Sequence, residues 1–88
     1  NLQDLGKLQI GEDVPEALAC DLRLEQAAQQ CIKDGIRVAE AAHDFVSREL
    51  LLKILDDTEE HIDFLETQLA LIESIGLQNY LQSKMGES

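Results

Sequence analysis

The 88-residue sequence has few basic residues, few aromatic residues and no long apolar segment. Its longest apolar runs are three or four residues, as at positions 50–52 and 69–72, and runs this short cannot span a bilayer. Only 7 Lys and Arg residues stand against 18 Asp and Glu residues, which gives a net charge of −11. Nucleic acids and anionic membranes are therefore not expected partners, because both require clusters of basic side chains.

Cysteine is also scarce, and its placement limits the chemistry. Cys20 and Cys31 lie on one predicted helix, about 16 Å apart along its axis, which is too far for a disulfide between them. Free thiols fit a reducing compartment, so a cytoplasmic location is expected. The chain begins at Asn1 without a basic and apolar leader, so no signal peptide is predicted.

The familiar short motifs of enzymes are missing as well. The sequence has no Cys-x-x-Cys pair, no glycine-rich phosphate loop, no His-Glu-x-x-His motif and no Ser/His/Asp order. The single methionine, Met85, lies near the end of the chain and is interpreted as a tail or packing residue. Phe45, Phe64 and Tyr80 are interpreted as packing residues.

Apolar residues recur at steps of three and four along two long segments, a spacing typical of bundle helices. Asp13 is expected to cap the first helix, Asp44 the second, and Gly76 to end the second. A break of one or two residues between the long helices favours an antiparallel hairpin. The predicted elements are an extended connector over 1–12, helices over 13–42 and 44–75, and a short helix over 77–84.

A hairpin of this kind needs neighbours. Each long helix would measure roughly 40–45 Å, yet two helices bury too little surface for a stable core. Two more helices of similar length would cover the remaining apolar faces. The predicted fold class is therefore all-α, with a long-helix hairpin that forms half of a four-helix bundle, plus a short C-terminal helix.

Polar residues interrupt the apolar seams of both long helices. Glu25 lies 18 residues before position 43 and His61 lies 18 residues after it. A hairpin folded at this point places both side chains at one height, roughly 27 Å from the turn. A carboxylate and an imidazole that meet inside a bundle form half of a carboxylate-bridged metal site. A buried Glu–His hydrogen bond without metal is the alternative, and the spacing alone leaves both open.

Thr58 lies one helical turn before His61, on the same face. Bundle metal sites usually have Glu-x-x-His at this spacing, and threonine is a neutral, poor ligand for iron. Asp57 could reach toward the site, although it points about 100° away from the Thr58 direction. Glu59 and Glu60 point further away and are expected to face solvent.

Four segments of the sequence resemble bacterioferritin. They read NLQDLGKL at 1–8, HDFVSR at 43–48, HIDFLET at 61–67 and GLQNYLQ at 76–82. The resemblance runs from end to end but covers only the second half of the family's subunit: the end of the crossover, the third and fourth bundle helices and the short fifth helix. It implies that the chain is one truncated ferritin-like domain.

The resemblance implies an iron-storage protein. In this family, 24 subunits form a hollow shell as a homo- or hetero-oligomer, and a dinuclear ferroxidase centre lies inside each bundle. Haem b lies at the two-fold interfaces, but its methionine ligand falls in the half of the subunit that the resemblance does not cover. A ferredoxin partner is also implied, with Glu12 and Glu16 near its docking position.

The resemblance also assigns roles to particular residues. Glu25 matches a bridging carboxylate of the ferroxidase centre, and His61 matches its fourth-helix histidine. Thr58 occupies the position of the second bridging glutamate, which implies impaired ferroxidase activity and a need for an active partner subunit. No catalytic residue is therefore assigned. Four residues match pore positions: Asp63 and Thr67 at a pore between subunits, and Asn79 and Gln82 at the four-fold pore. Each of them could equally be an ordinary solvent-facing side chain.

Three hypotheses follow. The first is iron storage in a ferritin-like shell with weak or absent iron oxidation by this chain. The second is a self-associating helical fragment with a structural role, in which Glu25 and His61 form a polar contact without metal. The third is an active ferroxidase in which Asp57 or water replaces the missing ligand at position 58.

Overall fold

The computed structural model describes residues 13–86, which form three α-helices. Helix α1 spans Val14–Ala41, α2 spans Phe45–Ile75 and α3 spans Leu77–Gly86. Helices α1 and α2 pack as a long hairpin, and α3 packs on α2. The predicted all-α class with a short C-terminal helix is confirmed. The connector predicted over 1–12 lies outside the described residues, as does Glu12.

The hairpin turns at residues 42–44. His43 has a φ of 58°, in the left-handed region, which reverses the chain direction within a very short connection. The backbone amide of Asp44 donates to the carbonyl of Ala39 (2.8 Å), and its side chain accepts from the amide of Ser47 (3.1 Å). The predicted cap at Asp44 is thus confirmed, and hydrogen bonds from the side chain and then the backbone amide of Ser47 lower the pKa of the Asp44 carboxyl below its usual value of 3.8.

Asp13 occupies the N-cap position of α1, as predicted, but its side chain makes no capping hydrogen bond. Its backbone carbonyl instead accepts from the amide of Ala17 at 2.9 Å. Pro15 lies in the first turn, where its missing amide hydrogen costs nothing, and Glu16 places negative charge near the helix N-terminus.

The core lies along the seam between α1 and α2. Leu65 is the most deeply buried residue, with 1 % of its surface exposed. Gly35 allows the helices to approach closely, because a Cβ there would lie 3.3 Å from the Leu51 Cδ1 atom. Six buried positions on the two long helices belong to the seams predicted from helical periodicity: Ile36, Ala39, Thr58, Ile62, Leu65 and Ile72. The seventh buried position, Gln68, was not predicted.

A glycine joins α2 to α3. Gly76 has a φ of 85°, a conformation that glycine adopts at little cost, and its amide donates to the carbonyl of Ile72 at 2.8 Å. The chain then turns so that Tyr80 packs against α2, where it is 6 % exposed. The packing role predicted for Tyr80 is confirmed.

Several large apolar side chains remain exposed on the outer faces of the hairpin. Phe45 is 56 % exposed and Phe64 is 52 % exposed, so the described helices alone do not bury them, although their rings contact His43 and His61. Two helices can cover each other along only one stripe, and these side chains lie off that stripe. Cys20 and Cys31 are free and exposed. Among the described helices, none is long and apolar enough to cross a membrane.

Candidate metal centre

Three potential metal ligands from two helices meet on one side of the hairpin. Asp21 and Glu25 lie four residues apart on α1, which places them on the same helical face. His61 reaches them from α2. One ligand atom from each of the three residues lies within 4.8 Å of the others. We refer to Asp21, Glu25 and His61 as the acidic-histidine cluster.

The cluster is open to water. The Asp21 side chain is 49 % exposed and the His61 side chain is 45 % exposed, whereas Glu25 is half-buried. The Nε2 atom of His61 lies 3.5 Å from Oδ2 of Asp21, which is longer than a good hydrogen bond. The His61 ring stacks on Phe64 with 6.3 Å between ring centroids, and this contact restricts the orientation of the imidazole.

The negative charge of the cluster has no basic partner nearby. Within residues 13–86, no Lys or Arg nitrogen lies within 4.0 Å of the carboxylate of Asp21 or Glu25. Two carboxylates held close together repel each other. A bound cation would relieve this repulsion, and an imidazole with two carboxylates is a donor set suited to first-row divalent metals.

A second polar contact joins the helices next to the cluster. Gln29, one turn after Glu25 on α1, donates from Nε2 to Oε2 of Glu59 at 3.0 Å. Glu59 is exposed, as expected, and its side chain also makes this contact with α1. Glu60 is exposed, as expected. The Gln29–Glu59 bond ties α1 to α2 near His61.

The structure brings Glu25 and His61 together at one height, but it differs from the sequence prediction in two respects. The pair was expected in a buried interior, and His61 is instead nearly half exposed, since the hairpin shields only one side of each helix. Asp21 joins the pair, while Asp57 is exposed and outside the cluster. The signal for Asp21 was its i, i+4 spacing to Glu25.

The remaining predicted positions lie apart from the cluster. Thr58 is buried in the seam, 9 % exposed, one turn from His61. Asp63, Thr67 and Gln82 are exposed. Asn79 is exposed too, and its side-chain amide donates to the carbonyl of Ile75 at 2.8 Å. Their pore roles remain predictions.

The methionine and histidine side chains, which are common haem ligands, lie in three separate places. The single methionine, Met85, lies near the end of the short helix α3 with 74 % of its surface exposed. His43 forms the hairpin turn and His61 belongs to the cluster. No residue of this chain is assigned to haem.

A helical hairpin with carboxylate and histidine side chains on facing helices has the architecture of one half of a ferritin-like bundle. The sequence profile of the ferritin-like domain family matches residues 1–75, and the chain belongs to this family. The predicted resemblance to bacterioferritins is confirmed by individual relatives as well.

Three relatives illustrate the similarity. The chain is 50 % identical over 86 residues to a bacterial ferritin of Synechocystis sp., covering 97 % of this chain and 55 % of that protein. It is 48 % identical over 80 residues to a bacterial ferritin of Neisseria meningitidis serogroup A, covering 90 % of this chain and 52 % of that protein. It is 43 % identical over 82 residues to a bacterioferritin of Brucella melitensis, covering 93 % of this chain and 51 % of that protein. The chain thus spans about half the length of these relatives.

Proposed function

We propose that this chain binds and stores iron as part of a ferritin-like shell. The observation that carries this proposal is the meeting of Glu25 and His61 from opposite helices, since ferritin-like bundles hold iron with carboxylate and histidine side chains from facing helices. Family membership supports it, since the related proteins are named ferritins and bacterioferritins. Iron is the cargo and substrate, and the half-exposed cluster is accessible to it.

Iron oxidation by this chain is proposed to be impaired. A dinuclear centre needs carboxylates that bridge two cations, and Thr58 offers only a neutral hydroxyl one turn from His61. Removing one carboxylate takes away one negative charge and two oxygen donors where two dications would have to be held together. A partner subunit with a glutamate at this position would then supply the oxidation step within a mixed shell.

Assembly is supported by the exposed apolar faces of the hairpin. Phe45, Val46 and Leu50 are 56 %, 83 % and 60 % exposed, and an isolated hairpin would leave them in water. Neighbouring helices of a shell subunit would cover such faces. We propose a cytoplasmic oligomer, in which Asp63, Thr67, Asn79 and Gln82 line pores. A ferredoxin that docks near Glu16 extends this proposal, and Glu16 is exposed at the start of α1.

The same exposed faces favour a second candidate function. The chain would then act as a helical module that associates with itself through its apolar faces, without metal chemistry. Asp21 and His61 would form only an exposed ion pair at 3.5 Å, and pairs of this kind contribute little to stability.

Iron loading separates the two functions. The protein is exposed to Fe²⁺ and air, passed over a size-exclusion column, and iron is measured in each fraction. Storage predicts that iron elutes with a large protein assembly, and that Glu25→Ala lowers the Fe²⁺ affinity. A small species that remains free of iron, or unchanged Fe²⁺ affinity in Glu25→Ala, would favour the structural module. Glu66→Ala, which removes an exposed carboxylate of α2, is the matched control.

A further inference from the structure

We propose that Asp21 is a metal ligand and completes, with Glu25 and His61, a site for a single divalent cation. The inference rests on the proposed function for Glu25 and His61 and goes beyond it by adding the third ligand and the number of ions. The ions expected to bind are first-row dications that accept both nitrogen and oxygen donors, such as Fe²⁺, Co²⁺ and Zn²⁺.

The distances suit one ion. Metal–ligand bonds of about 2.0–2.2 Å place neighbouring donor atoms roughly 3–3.5 Å apart. The Asp21 Oδ2 and His61 Nε2 atoms are already 3.5 Å apart, and the donor atom of Glu25 lies within 4.8 Å of both. Rotation of the half-exposed Asp21 and His61 side chains would close the remaining gap, with the His61 ring still stacked on Phe64.

The charges also suit one ion. Two carboxylates balance the charge of one dication, whereas two dications in the same place would leave two positive charges uncompensated. Thr58, which lies one turn before His61 in the seam, adds no charge. No basic side chain in the described part of the chain competes for Asp21 or Glu25.

The arrangement of the ligands favours an open site. Two ligands come from successive turns of α1 and the third from α2, so the protein surrounds the ion from one side only. Solvent reaches the other side, where water would complete the coordination shell. Such a site would capture iron on the surface of the hairpin without pairing it with a second ion for oxidation.

Cobalt titration tests this inference on the full chain. Co²⁺ is added under anaerobic conditions and followed by its visible d–d absorbance, with the number of ions per chain taken from the equivalence point. The background variant C20S/C31S removes the two exposed thiols, which are competing ligands. The expected stoichiometry is one Co²⁺ per chain. Asp21→Asn is expected to weaken binding by at least about tenfold.

Matched variants make the outcomes distinct. Asp56→Asn removes an exposed carboxylate of α2 outside the cluster and is expected to leave the affinity unchanged. Circular dichroism confirms that each variant is as helical as the parent. Wild-type affinity in Asp21→Asn, together with weakened binding in Glu25→Gln and His61→Ala, would overturn the role of Asp21 alone. Unchanged affinity in all three variants would overturn the proposed metal position as well, and two ions per chain would overturn the single-ion site.

Discussion

The Tyr80 hydroxyl donates a 2.7 Å hydrogen bond to the Oε1 atom of Gln68, and both residues are buried. The bond joins α3 to α2 across the glycine turn. Gln68 occupies a core position that would ordinarily be apolar, so its burial depends on this partner. The orientation of the short helix relative to the hairpin is therefore fixed by one specific polar contact together with the packing of the Tyr80 ring.

Tyr80→Phe should destabilise the docking of α3. The variant keeps the ring but leaves the buried Gln68 oxygen without its donor, which typically costs about 1–3 kcal/mol. Hydrogen exchange at the α3 amides should accelerate more than exchange in the middle of α1. Combining Tyr80→Phe with Gln68→Leu removes both polar groups and should restore part of the protection. Equal exchange in wild type and Tyr80→Phe would show that the bond does not hold α3.

Asp44 should make the hairpin sensitive to acid. Its pKa is lowered in the folded state by the hydrogen bond from Ser47, so its stabilising effect is present above the usual value of 3.8. The effect disappears as the pH falls through the lowered folded pKa. Asp44→Asn keeps a capping side chain without a titratable group.

Thermal unfolding followed by circular dichroism checks this prediction between about pH 2 and pH 7. Wild type and Asp44→Asn should be similar near neutral pH, and the wild type should lose more stability at the acid end. Asp44→Ala should be less stable near neutral pH, because it removes the cap altogether. Parallel pH profiles for wild type and Asp44→Asn would contradict the assignment of the cap.

Gly35→Ala should stabilise α1 slightly. Alanine favours the helix interior over glycine by roughly 0.5–1 kcal/mol. The new Cβ would lie 3.3 Å from Leu51 Cδ1, which is the end of a flexible, half-buried side chain and can move by a few tenths of an ångström. Gly35→Leu should destabilise the hairpin, since it forces the helices apart. Urea unfolding midpoints provide the comparison, and a lower midpoint for Gly35→Ala would mean that Leu51 cannot yield.

The sequence predicts that Glu25 and His61 lie at the same height along the hairpin, because helices rise by a constant amount per residue and the turn is short. Asp21 could not be found by searching for polar residues inside the apolar seam, since it lies at the seam's edge. Periodicity places His61 on an inward face without saying what covers that face, and within the hairpin 45 % of the His61 side chain is exposed. The Tyr80–Gln68 bond depends on the direction that the chain takes after Gly76, which periodicity does not determine.

Aerobic Fe²⁺ oxidation by Thr58→Glu tests most directly whether position 58 limits the chemistry of this chain. The initial rate of oxygen consumption is measured for wild type, Thr58→Glu and the matched control Ser74→Glu, which adds the same charge at an exposed position of α2. The impaired-centre proposal predicts a rate at least about tenfold higher for Thr58→Glu alone. Equal rates for Thr58→Glu and wild type would contradict it and favour an active site in which Asp57 or water replaces the missing carboxylate.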